Sequence, residues 1–267
     1  MHTRFRMLLV TVVVLLLATV AGLPVRAQRQ LPQFLPLLYA HTPQATHTPT
    51  PTATATATST PGSTPTAEVP AAVTVLDTWS RFIDSIDSLH VVGEVKNTTG
   101  ENVQFVKVTV NLFDTQGHLL DTDFTYTSED VIEPNQQSCF EAIFLDSPPL
   151  QDIASVEFEV SFRSGGRKAP GLVLLGVSGA YSPTFEDWYE VIGQVRNDGP
   201  TKAEYVKVTS TLYSGPNQTG QVLDCGFTYV NATHLEPGQT SSFKVLHTSV
   251  PSGTVGSYKV SVEGDSP

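Results

Sequence analysis

Apolar and polar residues alternate with a period of two along a stretch that this chain carries twice. Residues 105–114 read FVKVTVNLFD and residues 205–214 read YVKVTSTLYS. In the first, Val106, Val108, Val110 and Leu112 alternate with Lys107, Thr109 and Asn111. In the second, Val206, Val208 and Leu212 alternate with Lys207, Thr209 and Thr211. Each stretch is expected to be a strand with its valines in a core and its lysine and threonines on a solvated face.

The same reading extends to either side. Val73–Leu76 is a short strand, and Trp79 to Leu89 fits a helical turn or an irregular strand pair. Strands are expected at Leu89–Asn97, His118–Tyr126, Ser138–Leu145 and Val156–Phe162, with turns at 98–102, 114–117 and 133–136 where Gly, Asp, Asn and Pro gather. The pattern then repeats. VIGQVRN at 191–197 aligns with VVGEVKN at 91–97, an offset of 100. After a longer hairpin at 214–220 the offset becomes 103, where Phe124-Thr125-Tyr126 matches Phe227-Thr228-Tyr229, Glu133-Pro134 matches Glu236-Pro237 and Phe140 matches Phe243. Identities spread over successive strands, with the length change confined to a turn, indicate a duplicated β domain. The boundaries are 71–163 and 171–267, with RSGGRKAP at 163–170 reading as a linker over 164–170 that limits relative motion without freezing it.

The N-terminal part has a different pattern. Arg4 and Arg6 precede an apolar run from Met7 to Val20, and small residues stand at Val25 and Ala27. Residues 1–27 therefore read as a signal peptide cleaved after Ala27 or as an uncleaved membrane anchor. Residues 28–70 are a disordered Thr/Pro-rich linker, whose low-complexity part, 41–66, would reach about 80 Å if extended like polyproline. The expected address is extracytoplasmic, secreted or anchored at the cell surface, with the stalk holding the domains off that surface. The only expected membrane contact is an uncleaved N-terminal segment.

The repeated pattern, Gly-x-Val-x-Asn, a turn, an alternating strand ending in Leu-aromatic, then Pro-x-x-x-Ser-x-Phe, resembles the FxLYD family of extracytoplasmic domains of prokaryotic exported proteins. The name-giving motif falls on Val110-Asn111-Leu112-Phe113-Asp114 and on Ser210-Thr211-Leu212-Tyr213-Ser214. Its first position departs from Phe in both copies, and its last departs from Asp in the second. The resemblance covers about 90–162 and 190–262. It implies an all-β chain of two tandem immunoglobulin-like antiparallel β-sandwiches with no known catalysis, and it supplies no functional residues.

Composition narrows the chemistry. Beyond residue 27 there are 12 basic against 26 acidic groups, a net charge of −14, which opposes association with nucleic acid or anionic lipid. Cys139 and Cys225 fall at non-equivalent positions of the two copies, so neither domain closes its own bridge. A bridge between domains is open in an oxidising compartment, but two half-buried thiols are the expectation. No His-Glu-x-x-His, Cys-x-x-Cys, Gly-x-Ser-x-Gly or phosphate-loop motif is present, so no enzyme and no cofactor is expected. Asp114, Asp121 and Asp123 flank the first hairpin and are the candidate calcium ligands, although turn-forming aspartates are commoner. Phe105, Phe113, Tyr205 and Tyr213 share the wetter face and are the candidate interaction surface, although strand ends that fold under loops and bury such rings are commoner. Asn97, Asn217 and Asn231 match the N-glycosylation pattern.

Together these features point to a non-catalytic exported or cell-surface protein presenting its domains as spacer, scaffold or adhesion modules. The alternative is a carbohydrate-binding accessory protein of the cell envelope. The expected partner is an envelope protein or a polysaccharide. Recognition is expected where the copies differ, at the hairpin and the acidic cluster.

Overall fold

The structure is a computed structural model, and it describes residues 72–266. The leader and the Thr/Pro-rich stalk lie outside the described residues. Within them the chain forms β-strands joined by turns, with no α-helix. The first half holds β1 (Val73–Val75), β2 (Ser80–Ile83), β3 (Leu89–Asn97), β4 (Val103–Phe113), β5 (Leu119–Tyr126), β6 (Val131–Ile132), β7 (Gln137–Phe144) and β8 (Ser155–Ser164). The second holds β9 (Leu172–Tyr181), β10 (Tyr189–Asn197), β11 (Ala203–Tyr213), β12 (Val222–Tyr229), β13 (His234–Leu235), β14 (Thr240–His247) and β15 (Ser257–Asp265).

Each half is a sandwich of two antiparallel sheets. In the first, β3 is flanked by β1 and β2 along one edge and by β7 on the other. The facing sheet is centred on β4, with β8 on one side and β5 and β6 on the other. The second half repeats this. β9 takes the place of β1 and β2 beside β10, and β11 is flanked by β15 and by β12 and β13. The segment 79–89 thus contains the short strand β2, the irregular-strand alternative of the sequence reading. The cores are the alternating valines: Val91, Val95 and Phe140 meet Val106, Val108, Val110 and Leu112 in one, and Val191, Val195 and Phe243 meet Val206, Val208 and Leu212 in the other.

The repeated motif residues have structural reasons. Gly93 pairs across the sheet with Phe140, and a Cβ on Gly93 would come within 2.9 Å of the Phe140 ring. Gly193 stands to Phe243 in the same way, at 2.8 Å. The glycine is the space in which the aromatic ring lies. Asn97 closes the motif from inside the fold. Its amide donates to the Glu101 and Ile132 carbonyls, both at 2.8 Å, while its oxygen accepts the Thr99 N–H at 2.9 Å. Asn197 repeats this with Thr201, Leu235 and Gly199. Asn97 is fully buried and fully bonded, which removes it as a glycosylation acceptor.

Both central strands also carry the same bulge. The register of β4 against β8 slips between Gln104 and Lys107, and that of β11 against β15 between Glu204 and Lys207. The extra residue is aromatic and left-handed in each, Phe105 at φ 52° and Tyr205 at φ 48°. Bulky residues rarely hold this conformation.

Candidate functional site

The two sandwiches are not joined by the linker alone. The outer face of the β3 sheet packs against the outer face of the β11 sheet, so the four sheets stack in the order β4, β3, β11, β10. Period two explains how. Odd-numbered residues of β11 that would face water in an isolated domain, Lys207, Thr209, Thr211 and Tyr213, all point into this seam and are buried. The expectation of a solvated lysine and threonine face therefore fails for the second copy, because a second sheet covers it. In β4 the counterparts Lys107, Thr109, Asn111 and Phe113 are only half-buried.

An apolar cluster fills the middle of the seam. Phe82, Val92 and Cys139 come from the first domain, and Tyr213 and Val222 from the second. Cys139 and Cys225 are bonded to each other across it, with Cα atoms 6.0 Å apart and a sequence separation of 86. This corrects the expectation of two free thiols. The two positions are non-equivalent in the repeat because the bridge joins one copy to the other rather than closing within either. Val222 adds a strand-like contact, its N–H donating to the Thr78 carbonyl at 2.7 Å and its carbonyl accepting from the Ser80 hydroxyl.

Polar groups surround that cluster and satisfy one another. The buried Glu94 carboxylate pairs with Lys259. Glu129, also buried, accepts from the hydroxyls of Ser138, Thr209 (2.7 Å) and Ser261. Glu263 reaches the other way, accepting the Asp130 N–H at 2.8 Å and the Val131 N–H at 3.3 Å, while Lys207 sits 2.9 Å from it and 2.8 Å from Asp130. Burial opposes the charge on Lys207, but hydrogen bonds and ion pairs with Asp130 and Glu263 hold its ammonium above the usual lysine value. Burial, reinforced by the Glu94 charge, pushes the Tyr213 phenol far up. Lys207 is therefore charged and Tyr213 neutral throughout the physiological range. The linker joins in at one end, where the Ala169 N–H donates to the Gly264 carbonyl at 2.6 Å.

At the margin of the seam His90 stacks on Phe82, ring centroids 4.7 Å apart. It bonds Glu141 at 2.7 Å and Asp84 at 3.2 Å. Burial works against protonation of the ring, yet these two carboxylates raise its pKa above the ordinary histidine value.

The candidate interaction surface is split by the seam. Phe105 and Tyr205 are 59% and 68% exposed, Phe113 is half-buried, and Tyr213 is 1% exposed and belongs to the seam. On the open face of the β4 sheet Phe105 does not stand alone. It lines a shallow depression of about 430 Å³ with Lys107, Tyr126, Ser161, Phe162 and Arg163. Phe124 and Tyr126 meet edge to face at 6.2 Å, and Lys107 lies 3.9 Å above the Phe124 ring. The second copy repeats the pair, with Phe227 and Tyr229 at 6.3 Å and exposed.

The calcium candidates do not converge. Asp114 caps its own turn, accepting the N–H groups of Gln116 (2.8 Å) and His118 (2.9 Å) and contacting the His118 ring at 3.0 Å. Asp121 and Asp123 accept the N–H of the residue that follows each, at 2.8 Å and 2.7 Å. Among the described residues no group of three or more His, Cys, Asp or Glu side chains is arranged to hold a metal ion.

One constellation was not legible from motifs. His247 Nδ1 lies 2.9 Å from Asp224, and its Nε2 lies 3.2 Å from the Ser210 hydroxyl. The residue types and order are those of a nucleophile relay. The surroundings are those of a core, since Ser210 and His247 are both buried inside the second sandwich and Gly226 leaves room for the imidazole, a Cβ there falling 2.9 Å from His247 Cε1. The aligned copies held the signal: Ser210 and His247 stand where the first copy has Val110 and Phe144, so both members of one core contact changed together.

No family model matches the chain, and no curated protein matches it. Among solved structures it is similar to red sea bream transglutaminase, at 14% identity and a TM-score of 0.24 over 74% of this chain and 29% of that one. It is also similar to the exo-chitosanase CsxA of Amycolatopsis orientalis, at 10% identity and a TM-score of 0.22 over 70% of this chain and 25% of that one. A complex of the D469A variant of that chitosanase with PNP-beta-D-glucosamine gives 12% identity and a TM-score of 0.23 over 71% and 25%. The chain spans under a third of the length of each.

Proposed function

We propose that this chain is a non-catalytic exported or cell-surface protein whose two sandwiches act as one rigid spacer, scaffold or adhesion module. The observation that carries this reading is the disulfide-bridged seam with its buried ion pairs. A disulfide between domains persists in an oxidising compartment and is rare in a reducing one. An interface with a buried ionic rim fixes the angle between domains, which a spacer needs and a flexible tether does not. The leader at 1–27 would export the chain, and the stalk at 28–70 would hold the pair away from the surface. The FxLYD-type assignment belongs to the same proposal. Thiol trapping in whole cells, followed by fractionation, tests it. The expected result is a bridged Cys139–Cys225 pair in the envelope or medium fraction. Recovery in the cytosol with both thiols alkylated overturns it.

A second reading is favoured by the open aromatic face. Phe105, Tyr126, Phe162 and the flanking Lys107 and Arg163 offer ring faces and donors to a sugar polymer. Retention on an insoluble polysaccharide that is lost in Phe105→Ala plus Tyr126→Ala supports it. Equal passage of both proteins through the column disposes of it.

A further inference from the structure

The duplication supplies each domain with the same two outer faces, and the seam uses one from each. The first domain contributes its β3 face and the second its β11 face. The other two, the β4 face of the first domain and the β10 face of the second, are left at opposite ends of the four-sheet stack. They are the counterparts of the pair that is mated inside the chain.

Their residues retain the apolar character of the mated pair. Val92 and Val222 are fully buried at the centre of the seam. Their counterparts, Ile192 on the β10 sheet and Leu119 at the start of β5, are 45% and 54% exposed. In the seam, Cys225 enters a seat made by Gly93, Cys139 and Phe140, its sulfur 3.3 Å from the Phe140 carbonyl and bonded to Cys139. The counterparts of that seat are Gly193, Ser242 and Phe243. They line an open depression of about 470 Å³, with Ile192, Gln194 and Leu175 around them. The residue standing where Cys225 stands, on the other free face, is the exposed Thr122.

The polar positions change on both faces together. The ion pair Glu94–Lys259 corresponds to Gln194 and Glu157 on the free faces, an amide opposite a carboxylate. Had Glu been kept at 194, two carboxylates would oppose each other. The bridged cysteines correspond to Thr122 and Ser242, two hydroxyls. Lys207–Asp130 corresponds to Lys107 and Thr233, and Tyr213 to Phe113. No like charges are set opposite each other in this register.

We propose that the β4 face of one chain docks on the β10 face of a second copy of the same chain, repeating the internal seam without its covalent bond. The contact is head to tail, so it builds a closed ring where the rotation per step permits and an extending array where it does not. Because no disulfide closes it, it is reversible and concentration-dependent. The inference rests on the geometry of the seam and not on the location of the chain in the cell.

Rebuilding the bridge between chains is the test. Thr122 and Ser242 lie on opposite ends of the stack, so Thr122→Cys plus Ser242→Cys cannot close within one molecule. The full chain carrying both changes is oxidised at rising concentration, run without reductant and digested for mass spectrometry. The expected result is a ladder of multimers containing a 122–242 cross-linked peptide, absent from either single variant. A second measurement needs no new cysteine. Leu119→Glu and Ile192→Glu should each lower self-association at least tenfold. Mixed, they should form dimers and stop, because one intact face of each kind remains. A monomer at all concentrations overturns the proposal. So do cross-links that join only 122 to 122 or 242 to 242, because those belong to a symmetric contact.

Discussion

Strands β4 and β11 carry nearly the same residues and meet different surroundings. Their core faces share Val106/Val206, Val108/Val208 and Leu112/Leu212, and differ where Val110 becomes Ser210. Their other faces are Lys-Thr-Asn-Phe in one and Lys-Thr-Thr-Tyr in the other, yet the first remains partly open and the second is sealed under another domain. The sequence of a strand records which face is polar. It does not record whether that polarity is answered by water or by protein. In β11 it is answered by Glu129 and Asp130, from the turn between β5 and β6, and by Glu263 of β15.

The comparison is broken most severely by removing what holds β11 in place. Cys139→Ser plus Cys225→Ser opens a loop of 86 residues, and the chain-entropy treatment assigns such a loop about 4–5 kcal/mol. Urea denaturation of the full chain should show a loss of that order, and adding reductant to the native protein should reproduce it. Next comes Tyr213→Ala, a fully buried aromatic truncation expected to cost about 4 kcal/mol, against about 1 kcal/mol for Phe113→Ala on the half-open strand. Equal costs by thermal or chemical unfolding would mean that the two faces are equally covered. Lys207→Met leaves Glu263 without its principal cation and should cost about 3 kcal/mol, whereas Lys107→Met should stay within about 0.5 kcal/mol.

A pH effect is smaller and has a definite sign. The pKa of His90 is raised in the folded protein, so its bonds to Asp84 and Glu141 contribute fully below the ordinary histidine value of 6.5 and fade as pH rises through the raised value. Asp84 is held below its ordinary value, helped by the Ser88 and Ile86 N–H groups against burial, and stays ionised across that window. Thermal midpoints should therefore fall as pH rises above 6.5, and His90→Gln should flatten that slope. The smallest change is expected where the copies agree. Phe105→Asn and Tyr205→Asn each place a residue tolerant of positive φ at the bulge and should raise stability by no more than about 1 kcal/mol, by the same amount in both. A difference between them would show that the bulge aromatics are not equivalent.

The fold was legible because its signals are local. Period-two alternation located β4 and β11, and the recurrence of Gly, Val and Asn at fixed offsets identified two sandwiches before any contact was known. The reasons for those letters were not legible: Gly93 is fixed by the ring of Phe140, and Asn97 by the carbonyl of Ile132 thirty-five residues away. The seam was invisible for a further reason. Lys207 and Thr209 look alike on a wet face and in a polar interface. What betrays the seam is the set of paired departures from the repeat. Cys139 replaces the residue type that the second copy has as Ser242, and Cys225 replaces Thr122. Each departure alone is noise, and together they are a contact. The same logic finds Ser210 and His247.

The bridge between β7 and β12 has a mechanical meaning. If the chain is pulled from its two ends, tension crosses from Cys139 to Cys225 through the sulfur–sulfur bond. The 86-residue separation between them, about 300 Å of contour when extended, then bears no force. That shielded segment includes β8, the linker, β9, β10 and β11. A protease cut anywhere in it, the glycines at 165 and 166 included, would leave the two ends of the molecule tied together.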